Sequence, residues 1–360
     1  MWPNRRLLDL LHIELPIVQA PMAGASGSAM AVATSEAGGL GSLPCAMLDA
    51  DKIRAELGVI RQHTTKPINV NFFCHTPAQP DARQVAAWRA RLAAYYSELG
   101  LDASALPPTV VRAPFDEAMC EVVEEQKPEL VSFHFGLPEP SLLRRVKASR
   151  CLVMSSATTV EEARWLEAHG CDAIIAQGYE AGGHRGMFLT DELSTQVGTL
   201  ALVPQVVDAV TVPVIAAGGI ADGRGIAAAF ALGASGVQIG TAYLFTPESL
   251  ISPLHRAALR AARDDQTALT NVFSGRPARG LMNRIMREVG PMSDVTPAFP
   301  TAGNALAPLK AKAEAAGVSD FSSLWSGQSA SLGREMGARD LTRQLAEEAL
   351  QQLAWLASSR

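Results

Sequence analysis

The sequence predicts an α/β fold: a (β/α)8 TIM-type barrel with an added helical subdomain covering the active-site mouth. Three observations carry that prediction. Eight short apolar runs recur over the first 245 residues, helical patterns lie between them, and no run of comparable quality follows residue 250. The runs are almost continuously hydrophobic rather than alternating, as expected for parallel strands covered on both faces. A doubly wound sheet also alternates strand and helix, but eight strands at short, repeated spacing favour the barrel.

The strands fall, in order, at 17–22, 39–43, 68–74, 130–135, 152–155, 173–177, 213–217 and 236–239. Pro21 cannot donate to a ladder, so the first strand should end or bend there. Between strands, Thr159 and Glu162 have capping-box spacing ahead of Ala163, Trp165 and Leu166. Asp222 opens a helical run at 226–232 and is placed to cap it. Two segments break the repeat. Residues 75–115 form a long excursion with a helical pattern at 83–99, rich in Ala with Trp88, Tyr95 and Tyr96, and the chain beyond 250 has helix-like runs at 251–263 and 340–357. The expected division is therefore a barrel at 1–74 and 116–248, and a helical cap at 75–115 and 249–360.

Composition narrows the function classes. A formal net charge of −5, with no basic stripe, argues against a nucleic-acid surface. No stretch of 18 uninterrupted apolar residues exists, which argues against a membrane span. Arg5 and Arg6 are not followed by a long apolar run, so a secretory signal is not expected. Five cysteines without a CxxC pair fit buried thiols in a reducing, cytoplasmic compartment. A monomer or homodimer acting on a small molecule is the expectation.

The motifs that carry chemistry sit at predicted strand ends. Ala217-Gly218-Gly219-Ile220 follows the seventh strand and Gly240-Thr241 the eighth, where barrel loops commonly bind phosphate through backbone N–H groups. Ala20, Pro21 and Met22 close the first strand with small side chains that would let a flat ring lie against backbone. Asn69 and Asn71 point to one face of the third strand, and Gln177 ends the sixth; such interior amides either bond one another or reach a ligand. His75, His134 and His184 all fall near strand ends. Three imidazoles at one mouth could hold a metal, but with no HxH pair and no carboxylate clearly joining them a base or hydrogen-bond donor is favoured, and no metal is expected. His184 is the leading candidate, because Gly182, Gly183 and Gly186 leave it uncrowded.

Taken together, these motifs resemble the nitronate monooxygenases, formerly called 2-nitropropane dioxygenases, and within them the bacterial class I enzymes. The match runs through Gln19-Ala20-Pro21-Met22, Asn69-Val70-Asn71-Phe72-Phe73-Cys74-His75, Ser132-Phe133-His134-Phe135-Gly136 and the 177–186 stretch. It continues through Ala216–Ile220, Gln238–Thr241, Ser274-Gly275-Arg276-Pro277-Ala278-Arg279-Gly280 and Trp325-Ser326-Gly327-Gln328. The resemblance implies FMN, with its phosphate on Gly218, Gly219, Gly240 and Thr241 and its ring against Ala20, Pro21 and Met22. It also implies cofactor contacts from Asn69, Gln177, Gly182 and Gln328, substrate contacts from His75, His134 and Gly183, and His184 as the catalytic residue. In such enzymes an alkyl nitronate passes one electron to the flavin and the semiquinone passes it to dioxygen, leaving a carbonyl compound with nitrite or nitrate. A nitronate is already deprotonated, so His184 need only donate to it or steer it; a neutral nitroalkane would need proton abstraction. The family's tyrosines and lysine beyond the barrel have no clear counterpart at 297–310, where Lys310 is displaced by a few positions. That departure favours an uncharged alkyl nitronate over a carboxylate-bearing one. An NAD(P)H-dependent flavin reductase, acting on a quinone or an enoyl thioester, is the alternative on the same scaffold.

Overall fold

The computed structural model describes residues 1–77, 81–102 and 113–358, and in it the eight expected strands close into a barrel. The strands are β1 (Ile17–Gln19), β2 (Gly41–Pro44), β3 (Ile68–Phe73), β4 (Leu130–His134), β5 (Leu152–Ala157), β6 (Ala173–Gln177), β7 (Gly183–His184), β8 (Val214–Ala217) and β9 (Gly236–Ile239). All but β7 belong to the barrel, in the order β1-β9-β8-β6-β5-β4-β3-β2, and every neighbouring pair is parallel. Closure falls just before β2, where Leu40 N donates to Ile17 O at 2.9 Å and Gln19 N donates to Leu40 O at 2.9 Å. β1 stops short of the expected residue 22. Ala20 N makes the last ladder bond, to Ile239 O at 2.8 Å, and Pro21 has no N–H to continue it.

Local chemistry accounts for the connections. Asp222 caps the helix Gly223–Ala231 by accepting from Arg224 N and Gly225 N at 3.0 and 3.2 Å. Thr159 caps Val160–Ala168 and takes Glu162 N–H at 3.2 Å. The Glu162 carboxylate departs from the capping-box pattern: it accepts from Thr158 N at 2.6 Å and, through its other oxygen, from Phe188 N at 2.7 Å. That buried carboxylate joins the helix start to the segment following β7.

The cap differs from the sequence expectation in two respects. Two strands, β10 (Thr267–Thr270) and β11 (Ala278–Leu281), lie in the region read as wholly helical. They form an antiparallel sheet with β7, in the order β10-β11-β7. The last helix, Ala338–Ser358, was assigned to the cap but packs on the barrel helices Gly223–Ala231 and Ser28–Glu36. Its buried face of Leu341, Leu345, Ala346 and Ala349 is part of the main core. The cap has its own core, where Ala82–Glu98 meets Gly303–Ala315. There the Trp88 indole N–H donates to Ala302 O at 3.1 Å and the Tyr96 hydroxyl to Ala305 O at 2.6 Å. Residues 78–80 and 103–112 of the expected 75–115 excursion lie outside the described residues.

Candidate active site

A cavity of about 560 Å³ opens at the C-terminal ends of the barrel strands, bounded on the far side by the cap. Most of the residues expected at a ligand come together on its wall. Ala20, Pro21 and Met22 lie there at the end of β1, Gly218 and Gly219 after β8, and Gly240 and Thr241 after β9. Gly218 and Gly219 have φ of 110° and 72°, a double left-handed turn that side chains rarely allow. The helix Gly223–Ala231 has its first free N–H groups occupied by Asp222, so the backbone left for an anion is that of the two glycine turns.

A segment from the cap crosses these turns. Gly327 N donates to Thr241 Oγ1 at 2.9 Å, Gln328 N to Glu180 O at 3.1 Å, and the Ser329 hydroxyl to Gly219 O at 2.7 Å. Gly182 makes this crossing possible: a Cβ there would stand 2.4 Å from Gly327 N. Gln328 serves through its backbone; its neighbours Gly327 and Ser329, not Gln328 itself, reach the cavity wall.

His184 stands on the same wall, and its backbone is fixed by the cap sheet and by two barrel side chains. Ala278 pairs with His184 across β11 and β7. The His184 carbonyl accepts from Gln177 Nε2 at 3.0 Å and lies 3.2 Å from His134 Nε2. Gln177 Oε1 takes Gly186 N–H at 2.7 Å, so the Gln177 amide, expected to contact a cofactor, spans the loop around His184. Arg185 points inward and is fully buried, its guanidinium donating to Gly178 O, Gln177 O and Gln196 Oε1 at 2.6 to 2.8 Å. Burial, reinforced by the charge of Arg279, holds its pKa down to about 10, still well above neutrality.

His134 has a positioning role as well as a place on the wall. A carbonyl only accepts, so the network assigns the ring proton to Nε2, which donates to His184 O. Nδ1, 3.0 Å from Ser156 Oγ, then accepts the serine hydroxyl. Burial pushes the His134 pKa down to about 3, so the ring is neutral under ordinary conditions. His75 is not on the wall. It is buried behind the aromatic shell, 4.8 Å centroid to centroid from Phe299, whose ring is 5.4 Å from that of His184. Phe73, Phe135 and Trp325 complete that shell, with centroids 6.3, 6.0 and 5.5 Å from His184.

Asn69 is not on the cavity wall, and its buried Oδ1 has no partner among the described residues. It lies inside the barrel with Nδ2 donating to Ser42 Oγ at 3.0 Å, while Asn71, bonded to Ser132, reaches the cavity. Sequence reasoning missed Gln238 as a site residue. It stands on β9 at the wall, and its buried Oε1 has no partner among the described residues. Its period-two relation to Gly240 was the available signal. Lys310, displaced by a few positions from the family's lysine, also lines the cavity, as do His255, Glu314 and Ser322. It is 3.9 Å from Glu314, and burial pushes His255 down to about 4.

Known proteins match this chain throughout. The model of the nitronate monooxygenase family matches residues 4–348. The nitronate monooxygenase of Pseudomonas aeruginosa is 44% identical over 349 residues, covering 95% of this chain and 98% of its own. The structure of nitroalkane oxidase from Streptomyces ansochromogenes superposes with a TM-score of 0.87 at 39% identity, over 98% of this chain and 99% of that one. FabK from Thermotoga maritima superposes with a TM-score of 0.76 at 30% identity, over the whole of both chains.

Proposed function

The chain belongs to the nitronate monooxygenase family and is an oxidoreductase; we propose that it binds FMN and oxidises alkyl nitronates with dioxygen to carbonyl compounds and nitrite or nitrate. The carrying observation is the fixed His184 in an aromatic shell, on the wall of a cavity large enough for a flavin and a small substrate. The donor set fits the cofactor. Ala20, Pro21 and Met22 offer a flat, uncrowded surface for the ring, and Gly218, Gly219, Gly240 and Thr241 offer backbone for the phosphate. The unpartnered Gln238 Oε1 is an acceptor that a ribityl hydroxyl or ring N–H would satisfy. FMN bound there supplies the electron acceptor and the path to dioxygen.

The protein's own groups do the rest. Phe73 and Trp325, on the cavity wall, exclude water and suit an alkyl chain. His184 donates to or steers the nitronate oxygen, and abstracts a proton only when a neutral nitroalkane is the substrate. No described helix is long and apolar enough to cross a membrane, and the five free thiols suit the cytoplasm. The test is oxygen uptake by FMN-loaded protein over a panel of alkyl and carboxylate-bearing nitronates, without pyridine nucleotide. Uptake with the alkyl members supports the assignment. Rapid flavin bleaching on anaerobic mixing with NADPH, with no nitronate turnover, would instead establish the flavin reductase.

A further inference from the structure

We propose that Ser274 is the positioning residue for the His184 ring and fixes the proton of the neutral imidazole on Nε2, making Nδ1 the nitrogen that gains and loses a proton. The inference rests on the assignment of His184 as the catalytic residue. The side chain and backbone of His184 are held by different parts of the fold. His134 and Gln177 hold its carbonyl, whereas its Nε2 lies 2.9 Å from Ser274 Oγ, 90 residues away.

The assignment follows from counting hydrogens. Ser274 is buried, and its Oγ has three neighbours: His184 Nε2, the Arg276 carbonyl at 3.2 Å, and Arg276 N–H at 3.3 Å. A hydroxyl has one hydrogen and two lone pairs. The carbonyl can only accept and the backbone N–H can only donate. If the hydroxyl donates to the Arg276 carbonyl, its lone pairs receive Arg276 N–H and His184 Nε2–H, and all three contacts are satisfied. If it donates to a bare Nε2, the carbonyl contact is lost. The turn cannot easily rearrange, because Gly275 N donates to Asn271 O at 2.7 Å and Gly275, at φ 89°, packs directly against Pro297 O.

The arrangement suits both substrate forms. With Nε2–H held by serine, the neutral ring presents its basic lone pair at Nδ1 to a C–H acid, and the protonated ring presents an Nδ1–H to an anionic nitronate. Among the described residues, the titratable and charged groups near the ring include His134 on β4, His75 beside Phe299, Arg185 next in the chain, and Arg276 stacked 4.2 Å over Phe135. None of these meets Nε2; Ser274 does.

The direct experiment is nitrogen-15 NMR of histidine-labelled protein, with the His184 signals identified by their loss in His184→Asn. Wild type should show the Nε2–H tautomer, and Ser274→Ala a mixture of both. An Nδ1–H tautomer in wild type, or an unchanged tautomer in Ser274→Ala, overturns the proposal. Kinetics give a second readout. In Ser274→Ala, kcat/KM for a neutral nitroalkane should fall about tenfold, the size of one lost hydrogen bond, with its pH profile displaced to lower pH. Ser274→Thr, which keeps the hydroxyl, should restore the wild-type profile. If Ser274→Ala fails to fold, the wild-type spectrum and the Thr variant still decide. Retention of nitronate turnover by His184→Asn would overturn the functional reading while leaving the tautomer result standing.

Discussion

Replacing Gly182 with alanine tests whether the cap segment 326–329 closes the cofactor site. The new Cβ would lie 2.4 Å from Gly327 N and 2.6 Å from Ser326 C, both backbone atoms that no side-chain rotation can move. To reach ordinary contact the segment must retreat by roughly 1 Å. That displacement stretches the bonds to Thr241 Oγ1, Glu180 O and Gly219 O, now 2.9, 3.1 and 2.7 Å, beyond useful length. Overpacking of this kind costs about 1–3 kcal/mol. Borne by cofactor binding, it corresponds to an FMN dissociation constant raised about 5- to 150-fold. Gly183→Ala is the control. Its Cβ meets nothing within 4 Å, and its φ of 73° costs about 1–2 kcal/mol of backbone strain in β7 instead. Quenching of flavin fluorescence on titrating apoprotein with FMN reads both affinities. The reasoning fails if Gly182→Ala binds FMN like wild type, or if Gly183→Ala weakens binding more.

Other outcomes follow from the same geometry. Arg185→Met should lower the free energy of unfolding by about 3 kcal/mol or more, read from urea midpoints, because it leaves two buried carbonyls and the half-buried Gln196 amide oxygen without their charged donor. Acid stability should reflect two histidines, the half-buried His134 held at about 3 and the buried His255 held at about 4, against an ordinary value near 6.5. The unfolded chain takes up those protons first, so stability is full above pH about 6.5 and falls as pH drops through 4 towards 3. His255→Gln should flatten that fall in a pH series of thermal melts. Burial also raises the Cys45, Cys120, Cys151 and Cys171 thiols, Cys151 to about 11. A disulfide exchange reagent at pH 8 should therefore label these four slowly in the folded protein, and all five cysteines should react once it is unfolded.

The barrel was legible because parallel strands covered on both faces must be apolar throughout, and runs such as Ala173–Gln177 have few other readings. The glycine turn after β8 was legible because Gly218 and Gly219 occupy conformations that few other residues accept. The cap sheet was not legible. Thr267–Thr270 and Ala278–Leu281 are four residues each, with threonines, an arginine and a glycine, and their partner β7 is only two residues long. No periodicity can show in so short a strand. The last helix displayed its apolar face at the right spacing, but spacing does not say whether that face meets barrel or cap. At the site, the sequence put Gln177 and His134 at strand ends, where both line the cavity, yet left open what their polar atoms bond. His134, read as a substrate contact, lies on the cavity wall and also donates to the His184 carbonyl. His75 fell behind Phe299 because the side chain beyond a strand end is set by whatever packs over it, here a phenylalanine more than 200 residues later. The contact between His184 and Ser274 also depends on tertiary structure, through the pairing of β7 with β11.

In the proposed function, His184 over a bound flavin makes this chain a nitronate oxidase. The most direct test is oxygen uptake with an alkyl nitronate and no pyridine nucleotide, comparing wild type and His184→Asn at equal measured FMN content. Wild type should take up oxygen and form the carbonyl product and nitrite or nitrate, and the variant should lose at least about a hundredfold in rate. Equal rates in the two proteins, or no uptake by FMN-loaded wild type with any nitronate, would contradict it.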